Sequence, residues 1–312
     1  MKTQIPEALK ADLPPTLWGK ILGATPVVMT VIATMLAGLA SSEMTKAQYD
    51  RSLAAQQQSK AGDQWGFFQA KRMRSALQNS TLDLLQAANA VRPPEAAALR
   101  QAVGASGAEA AALLDSEAGQ RALAFLLKGE LPPVPAAIRP AIEIQAALRA
   151  IEAMRPEAEI ATLMAGIDNM MLSDALVAAK ARSDAFDTAT QPVNRLIDEI
   201  DNALDRQVGG NALHRDFIAA RLRFAAARYD TEARLNQSIA NLYELQVRKN
   251  NLSAERHHAR SQRFFFGMLG AQMAVIISTF AIAARKRNLL WSLAAAAGVA
   301  ALLFASYVFL FV

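Results

Sequence analysis

No cysteine occurs anywhere in this chain, which excludes a disulfide framework, a thiol nucleophile and a Cys-ligated zinc together. The absence fits any compartment and selects none. Histidine is nearly as scarce: His214, His257 and His258 are all there is, too few and too clustered for an ordinary His-based metal site. On a helix the adjacent pair would point about 100° apart and could not easily share one ion. Their place beside an apolar run marks them as polar residues of a headgroup region. The sequence also lacks a glycine-rich phosphate loop followed by Lys-Ser/Thr, and a helix carrying two histidines four apart. Its serines have no histidine placed to activate them. Asp198, Glu199, Asp201 and Asp205 track one solvent face, which does not suit general acid–base work. Neither catalytic residues nor a metal, a cofactor or a small-molecule substrate are expected, and an enzyme is not the expectation.

Charge is missing in three long runs. Ile21–Ala40, Phe264–Ala284 and Leu289–Val312 contain no ionisable residue. Each approaches or exceeds the roughly 20 residues needed to cross a bilayer core of about 30 Å. The first is too long for the apolar core of a secretory signal, although Gly38-Leu39-Ala40 resembles a cleavage site, so it is expected to be retained. The last two form a hairpin around Arg285-Lys286-Arg287-Asn288, and a soluble core would not bury both all round. Four of the five net positive charges lie outside residues 41–263, on Lys2, Lys10, Lys20, Arg285, Lys286 and Arg287 against Glu7 and Asp12. A nucleic-acid module would concentrate basicity on its folded domain, so no nucleic acid is expected. The lipid bilayer is the expected partner.

The short loop Arg285–Arg287 resists translocation, which places it and the N-terminus in the cytoplasm and residues 41–263 outside the inner (cell) membrane. A stripe of Lys249, Arg256, Arg260 and Arg263, leading into the second run, pulls the other way, because it also suits anionic headgroups. Long domains translocate largely regardless of charge, so the short loop decides.

Between the runs, helix breakers are scarce in two places. Residues 41–90 hold no proline and predict one long helix, weakened at Gly62–Gly66; residues 211–263 hold neither proline nor glycine up to Gln262 and predict another. Residues 93–155 collect Pro93, Pro94, Pro132, Pro133, Pro135 and Pro140 and read as short helices over about 94–103, 107–128 and 135–154, with "LPPVP" as a linker. A third long helix, about 156–208, is marked by Ile160, Leu163, Met164, Ile167, Met170 and Met171, with a kink or split at Pro192 and a turn at Gly209-Gly210 capped by Asn211. No stretch alternates as a strand does. The expected organisation is all-α: tail 1–16; transmembrane helices 17–40, 264–284 and 289–312; loop 285–288; and a bundle over 41–263. This long-helix bundle, coiled-coil-like and up-down-up-down, lies between the first and second spans.

If helices 41–90 and 211–263 pair directly, residue 40 faces about 264 and Trp65 faces Ile239–Tyr243. Trp65 would then stand about 37 Å above the membrane, too far for an interfacial aromatic belt. The cluster Trp65, Phe68, Gln69, Lys71 and Arg72 is therefore read as a packing or docking motif, with Lys71, Arg72 and Arg74 solvated or paired to acids such as Glu232 or Glu244. Arg256, Arg260, Arg263, Arg285, Lys286 and Arg287 are the membrane-flanking cations.

Asp63-Gln64-Trp65, Phe67-Phe68-Gln69-Ala70-Lys71 and the hairpin loop Arg285–Arg287, set after one N-terminal run, resemble a family of uncharacterised bacterial membrane proteins known only as a domain of unknown function. The resemblance implies a retained first span and no particular activity. The expected role is a multi-pass, membrane-anchored helical scaffold that oligomerises or docks a protein partner through its long helices. The alternatives are an extracytoplasmic sensor that signals through its spans to a separate partner, and an oligomeric channel lined by Ala294–Ala297, Gly298 and Ala300–Ala301.

Overall fold

A computed structural model describes residues 17–106, 108–133, 140–206, 212–283 and 287–311. Residues Gly209, Gly210 and Asn211, Val134 and Pro135 of the 131–135 linker, the 1–16 tail, and Arg285 and Lys286 of the hairpin loop lie outside them, as does the Arg287 side chain. Among the described residues every regular element is an α-helix: α1 (Leu17–Ala88), α2 (Ala96–Ser106), α3 (Ala108–Asp115), α4 (Glu117–Lys128), α5 (Ile142–Glu152), α6 (Glu157–Ala165), α7 (Asn169–Asp205), α8 (Ala212–Ala283) and α9 (Arg287–Phe311). The all-α expectation holds. Three helices, α1, α8 and α9, are long and apolar enough to cross a membrane. The chain divides into two compact units, residues 55–249 and residues 1–54 with 250–312.

In the 55–249 unit, α1 and α8 run antiparallel along an alanine seam. Ser75 donates its hydroxyl to the Ala226 carbonyl at 2.9 Å. Stepping by seven in opposite directions from that pair sets Phe68 opposite Ala233, Ala61 opposite Ala240 and Leu82 opposite Ala219; these four partners of α8 and Ala61 are buried, as is Leu82. A serine side chain is short, so a bond to the facing backbone requires axes near the lower end of the usual 8–10 Å. Seven-residue spacing of the buried positions is the coiled-coil repeat. The expected register is close to the observed one.

α7 packs antiparallel on α8, with Lys180 over the Tyr243 ring, Arg221 bonded to Asp201 and His214 beside Asp205. Helices α2, α3 and α4 cover the C-terminal half of α7, where Leu99, Val103, Leu126, Leu196, Ile200 and Phe224 share one core. Burying each such side chain contributes about 1.5–3 kcal/mol. Local signals cut these helices short. Ser116 accepts from the Gly119 amide and starts α4, and Gly129, at φ +65°, ends it with its amide on Leu126 and that of Glu130 on Phe125. Residues 108–128 therefore form two helices where one, over 107–128, was expected.

The helix expected over 156–208 breaks at Gly166–Asp168, with a 92° bend between α6 and α7. Asp168 accepts from the Asn169 amide and begins α7 afresh. The stripe Ile160–Met171 therefore does not share one face: Ile160, Met164 and Ile167 are buried, while Met170 is exposed. Pro192, expected to kink or split the helix, lies inside an unbroken α7. Proline in a helix interior costs about 3 kcal/mol, and burial of Phe186, Val193, Leu196 and Ile200 on either side outweighs that. Gly62 and Gly66 leave α1 continuous as well.

In the other unit, small residues and a few large ones, Leu36, Phe264, Trp291 and Val308, fill the contacts between helices. Ser261 donates to the Ala40 carbonyl at 2.7 Å, and Ala47 and Ala254, seven residues away on each helix, are buried. Ala33, Ala271 and Ala301 cluster together, as do Ala281, Trp291 and Ala294, so α8 and α9 are antiparallel neighbours. Large apolar side chains lie outside: Val28, Met35, Phe266, Ile276, Leu303 and Leu310 are all exposed.

Candidate functional site

The aromatic–cationic cluster expected from the sequence forms a layer between α1 and α8. Trp65 donates its indole N–H to the Glu244 carboxylate at 2.7 Å and meets the Phe68 ring edge-on, with centroids 5.4 Å apart. One turn on, Lys71 pairs with the buried Glu232, which Arg228 also approaches at 3.5 Å. Arg72 and Arg234 share Asp230. Tyr229 sits among cations, with Lys71, Arg74 and Arg228 at 5.3, 5.8 and 4.6 Å from its ring centroid. Gln69 is exposed and stands apart from this layer. Phe67 is exposed too, so the anchoring falls to Trp65 and Phe68.

Chemically, the layer is dense in ion pairs, although Gln64 Oε1, Arg228 Nε and Glu232 Oε2 are shut off from solvent without a hydrogen bond. Each of its carboxylates has a cationic or N–H partner, and both aromatics with a polar face are engaged. Such a layer fixes register and orientation between helices. Tyr229 escaped sequence reasoning; its signal was the run Arg228-Tyr229-Asp230, which the expected register sets opposite Arg74–Ala76.

A second polar cluster lies in the other unit. Glu43, on the buried side of α1, is bonded by Lys46 at 2.8 Å and by the His257 ring nitrogen. Burial pushes the Glu43 carboxyl up, but the hydrogen bonds from Lys46 and His257 outweigh it and hold the group below its usual value. His257 is thus a helix-pairing residue, not a free polar residue of the headgroup region. Lys249 is likewise not part of a free basic stripe: it donates to the Ile167 carbonyl at the α6–α7 break, and burial there lowers its pKa against the pull of Asp168. Arg256, Arg260 and Arg263 remain without an ion pair among the described residues, and the Arg260 Nε is shut off from solvent with no hydrogen-bond partner. Among the described residues no group of three or more His, Asp or Glu is placed to hold a metal ion.

Of the small residues considered as a pore lining, Ala295, Ala296 and Ala300 are exposed, and others pack. Ala294 and Ala301 are buried against α8, and a side chain at Gly298 would strike Met29 of α1 at 2.8–2.9 Å.

No curated protein and no solved structure matches this sequence. A family described as Domain of unknown function (DUF4337) matches residues 18–191, more than half of the 312-residue chain. The match takes in the first apolar segment, the Trp65–Lys71 motif and the short helices α2–α6, a stretch for which the sequence alone offered no resemblance. It stops inside α7, so α8 and α9 lie beyond it. The chain belongs to this family, whose defining domain has no known function.

Proposed function

We propose that this protein is a non-enzymatic, membrane-anchored helical scaffold whose long helices dock a protein partner or a second copy of the chain. The observation that carries the reading is the reversal of ordinary burial in α1, α8 and α9. Ala33, Ala271, Ala294 and Ala301 lie between these helices beside Leu36, Phe264, Trp291 and Val308, while many more Val, Leu, Met and Phe side chains face outward, an arrangement favourable in an apolar surrounding. The pairings that join α1 to α8 around Trp65 support a structural reading of the bundle. Met73, Leu77 and Leu84 of α1 are exposed on the bundle unit and offer a docking face.

In this reading the N-terminus and the Arg285–Arg287 loop are cytoplasmic and residues 41–263 are extracytoplasmic. Single cysteines introduced at Ser106 and Asn288 test it, since the background holds no other thiol. Labelling of intact cells at 106 alone is expected; labelling at 288 alone reverses the orientation. A photo-crosslinking residue at Leu77 is expected to capture one discrete adduct in cells. Its absence, together with a monomeric mass in detergent, would sink the docking reading. A sensor is the second reading, favoured by the unbroken course of α8 from Ala212 to Ala283. Reversing the charge of Arg285–Arg287 without effect on a partner's output counts against it.

A further inference from the structure

We infer that the α8 face bearing Arg256, Arg260 and Arg263 binds the phosphates of anionic phospholipids and prefers them to zwitterionic ones. The inference rests on the anchoring reading above and concerns only the unit of residues 1–54 and 250–312.

Ala40 of α1, Phe264 of α8 and Val308 of α9 share one buried cluster, and Ser261 bonds to the Ala40 carbonyl. One uncharged run ends at Ala40 and the next begins at Phe264, so both give way to polar sequence at a common level. Headgroups add about 5–7 Å to each side of a bilayer core. At helical rise Arg263 lies about 1.5 Å beyond Phe264, Arg260 about 6 Å and Arg256 about 12 Å. Two of the arginines thus start inside the headgroup layer. The third stands above it, from where a long side chain can bend back toward the phosphates.

Charge at that level is unbalanced. Spacings of four and three residues put the arginines on one helix face; Arg256 is exposed, and Arg260 and Arg263 are half-buried. None of them has an ion pair among the described residues. Their neighbour Glu255 lies about 100° round the helix from Arg256. Across residues 41–45 and 259–263 the one carboxylate is Glu43, which Lys46 and His257 already hold. Arginine therefore carries the uncompensated charge of this level among the described residues. A guanidinium stays protonated and can grip two phosphate oxygens at once. Phosphatidylcholine brings a cation of its own beside its phosphate and phosphatidylglycerol does not, so the face favours the second.

The test offers the full chain, in mild detergent, an equimolar mixture of phosphatidylglycerol and phosphatidylcholine of one acyl length, and reads the retained lipid by native mass spectrometry. Three variants accompany it: Arg256→Gln, the triple change Arg256→Gln/Arg260→Gln/Arg263→Gln, and Arg100→Gln, which alters an exposed arginine of the bundle unit. A preference for phosphatidylglycerol is expected in the native chain. It should fall roughly fivefold with Arg256→Gln, further with the triple variant, and not at all with Arg100→Gln. If the triple variant lost helicity by circular dichroism, the exposed Arg256→Gln alone would decide. No preference in the native chain, or the same preference in every variant, overturns the inference. Carbonate extraction of membranes from the same cells separates the two ideas. A chain that resists extraction yet shows no arginine-dependent preference refutes the headgroup site alone, whereas a chain washed off refutes the anchoring and the site with it.

Discussion

Trp65 joins two roles that are usually separate, since its ring packs on Phe68 while its N–H satisfies Glu244. Trp65→Phe keeps most of the packing and strands a part-buried carboxylate. Melting or denaturant titration should show a loss of about 1–3 kcal/mol, and Glu244→Leu in the same background should recover part of it, as a double-mutant cycle would reveal. Glu43 makes a pH-dependent contribution. Its folded pKa lies below the ordinary 4.5, so the unfolded state binds the proton more readily. Its stabilisation is present above pH 4.5 and is lost as pH falls through the folded value. Comparing the melting of the native chain with Glu43→Gln from pH 7 to pH 3 should show the native advantage shrinking in the acid range; a gap that widens on acidification would refute this. The Lys71–Glu232 pairing was legible, because one assumption about helix pairing placed that acid near the right cations, whereas Glu244, expected to pair with the same cations, accepts from Trp65 instead. The Glu43–His257 pair followed from the same register and was missed, because His257 was weighed only against its neighbour His258 as a metal ligand.

At the scale of the element, the alanine seam is the feature that sequence reading passed over. Ala33, Ala40, Ala47, Ala54 and Ala61 recur every seven residues on α1, as do Ala219, Ala226, Ala233 and Ala240 on α8. Alanine registers as helix propensity before it registers as core, so a seven-residue alanine repeat is masked by the many other alanines around it. Two neighbouring substitutions separate the roles. Ala61→Leu drives extra atoms into a closed seam and should destabilise by about 1–3 kcal/mol. Gly62→Ala, one residue on, meets nothing within 4 Å and should stabilise by about 0.5–1 kcal/mol. Thermal melts of both decide whether the seam lies where the register puts it. The break at Gly166–Asp168 was also present in the sequence as a glycine followed by an N-capping aspartate, but the apolar stripe across it was given priority. Pro192 erred the other way: tertiary burial around it overrode a strong local signal.

For the whole molecule, the all-helical class and the three apolar helices were legible because length and the absence of charge need no tertiary context. The short helices α2–α6 were legible only as a broken region, since their boundaries depend on caps such as Ser116 and Gly129. A pair of lysines tests the surroundings of the two units. Ile276→Lys, on an exposed face of the apolar part of α8, should cost about 2.5–3.5 kcal/mol if that face meets lipid, and the chain should accumulate less in the membrane fraction. Leu77→Lys, exposed on the bundle unit, should change stability by no more than about 0.5 kcal/mol. Equal tolerance at both positions would mean that both faces meet water.

The seam of the bundle unit has a consequence for motion. Sliding α8 by seven residues, about 10.5 Å at helical rise, would again set alanines of α8 against Phe68, Ser75 and Leu82 of α1, so the α8 side of the seam resists the slide little. What such a slide would break are the pairings of Lys71 with Glu232, Arg72 with Asp230 and Trp65 with Glu244. Those side chains are the stops against such a slide, and they hold the position of one long helix along the other together with the Ser75–Ala226 bond and the cluster around Leu82.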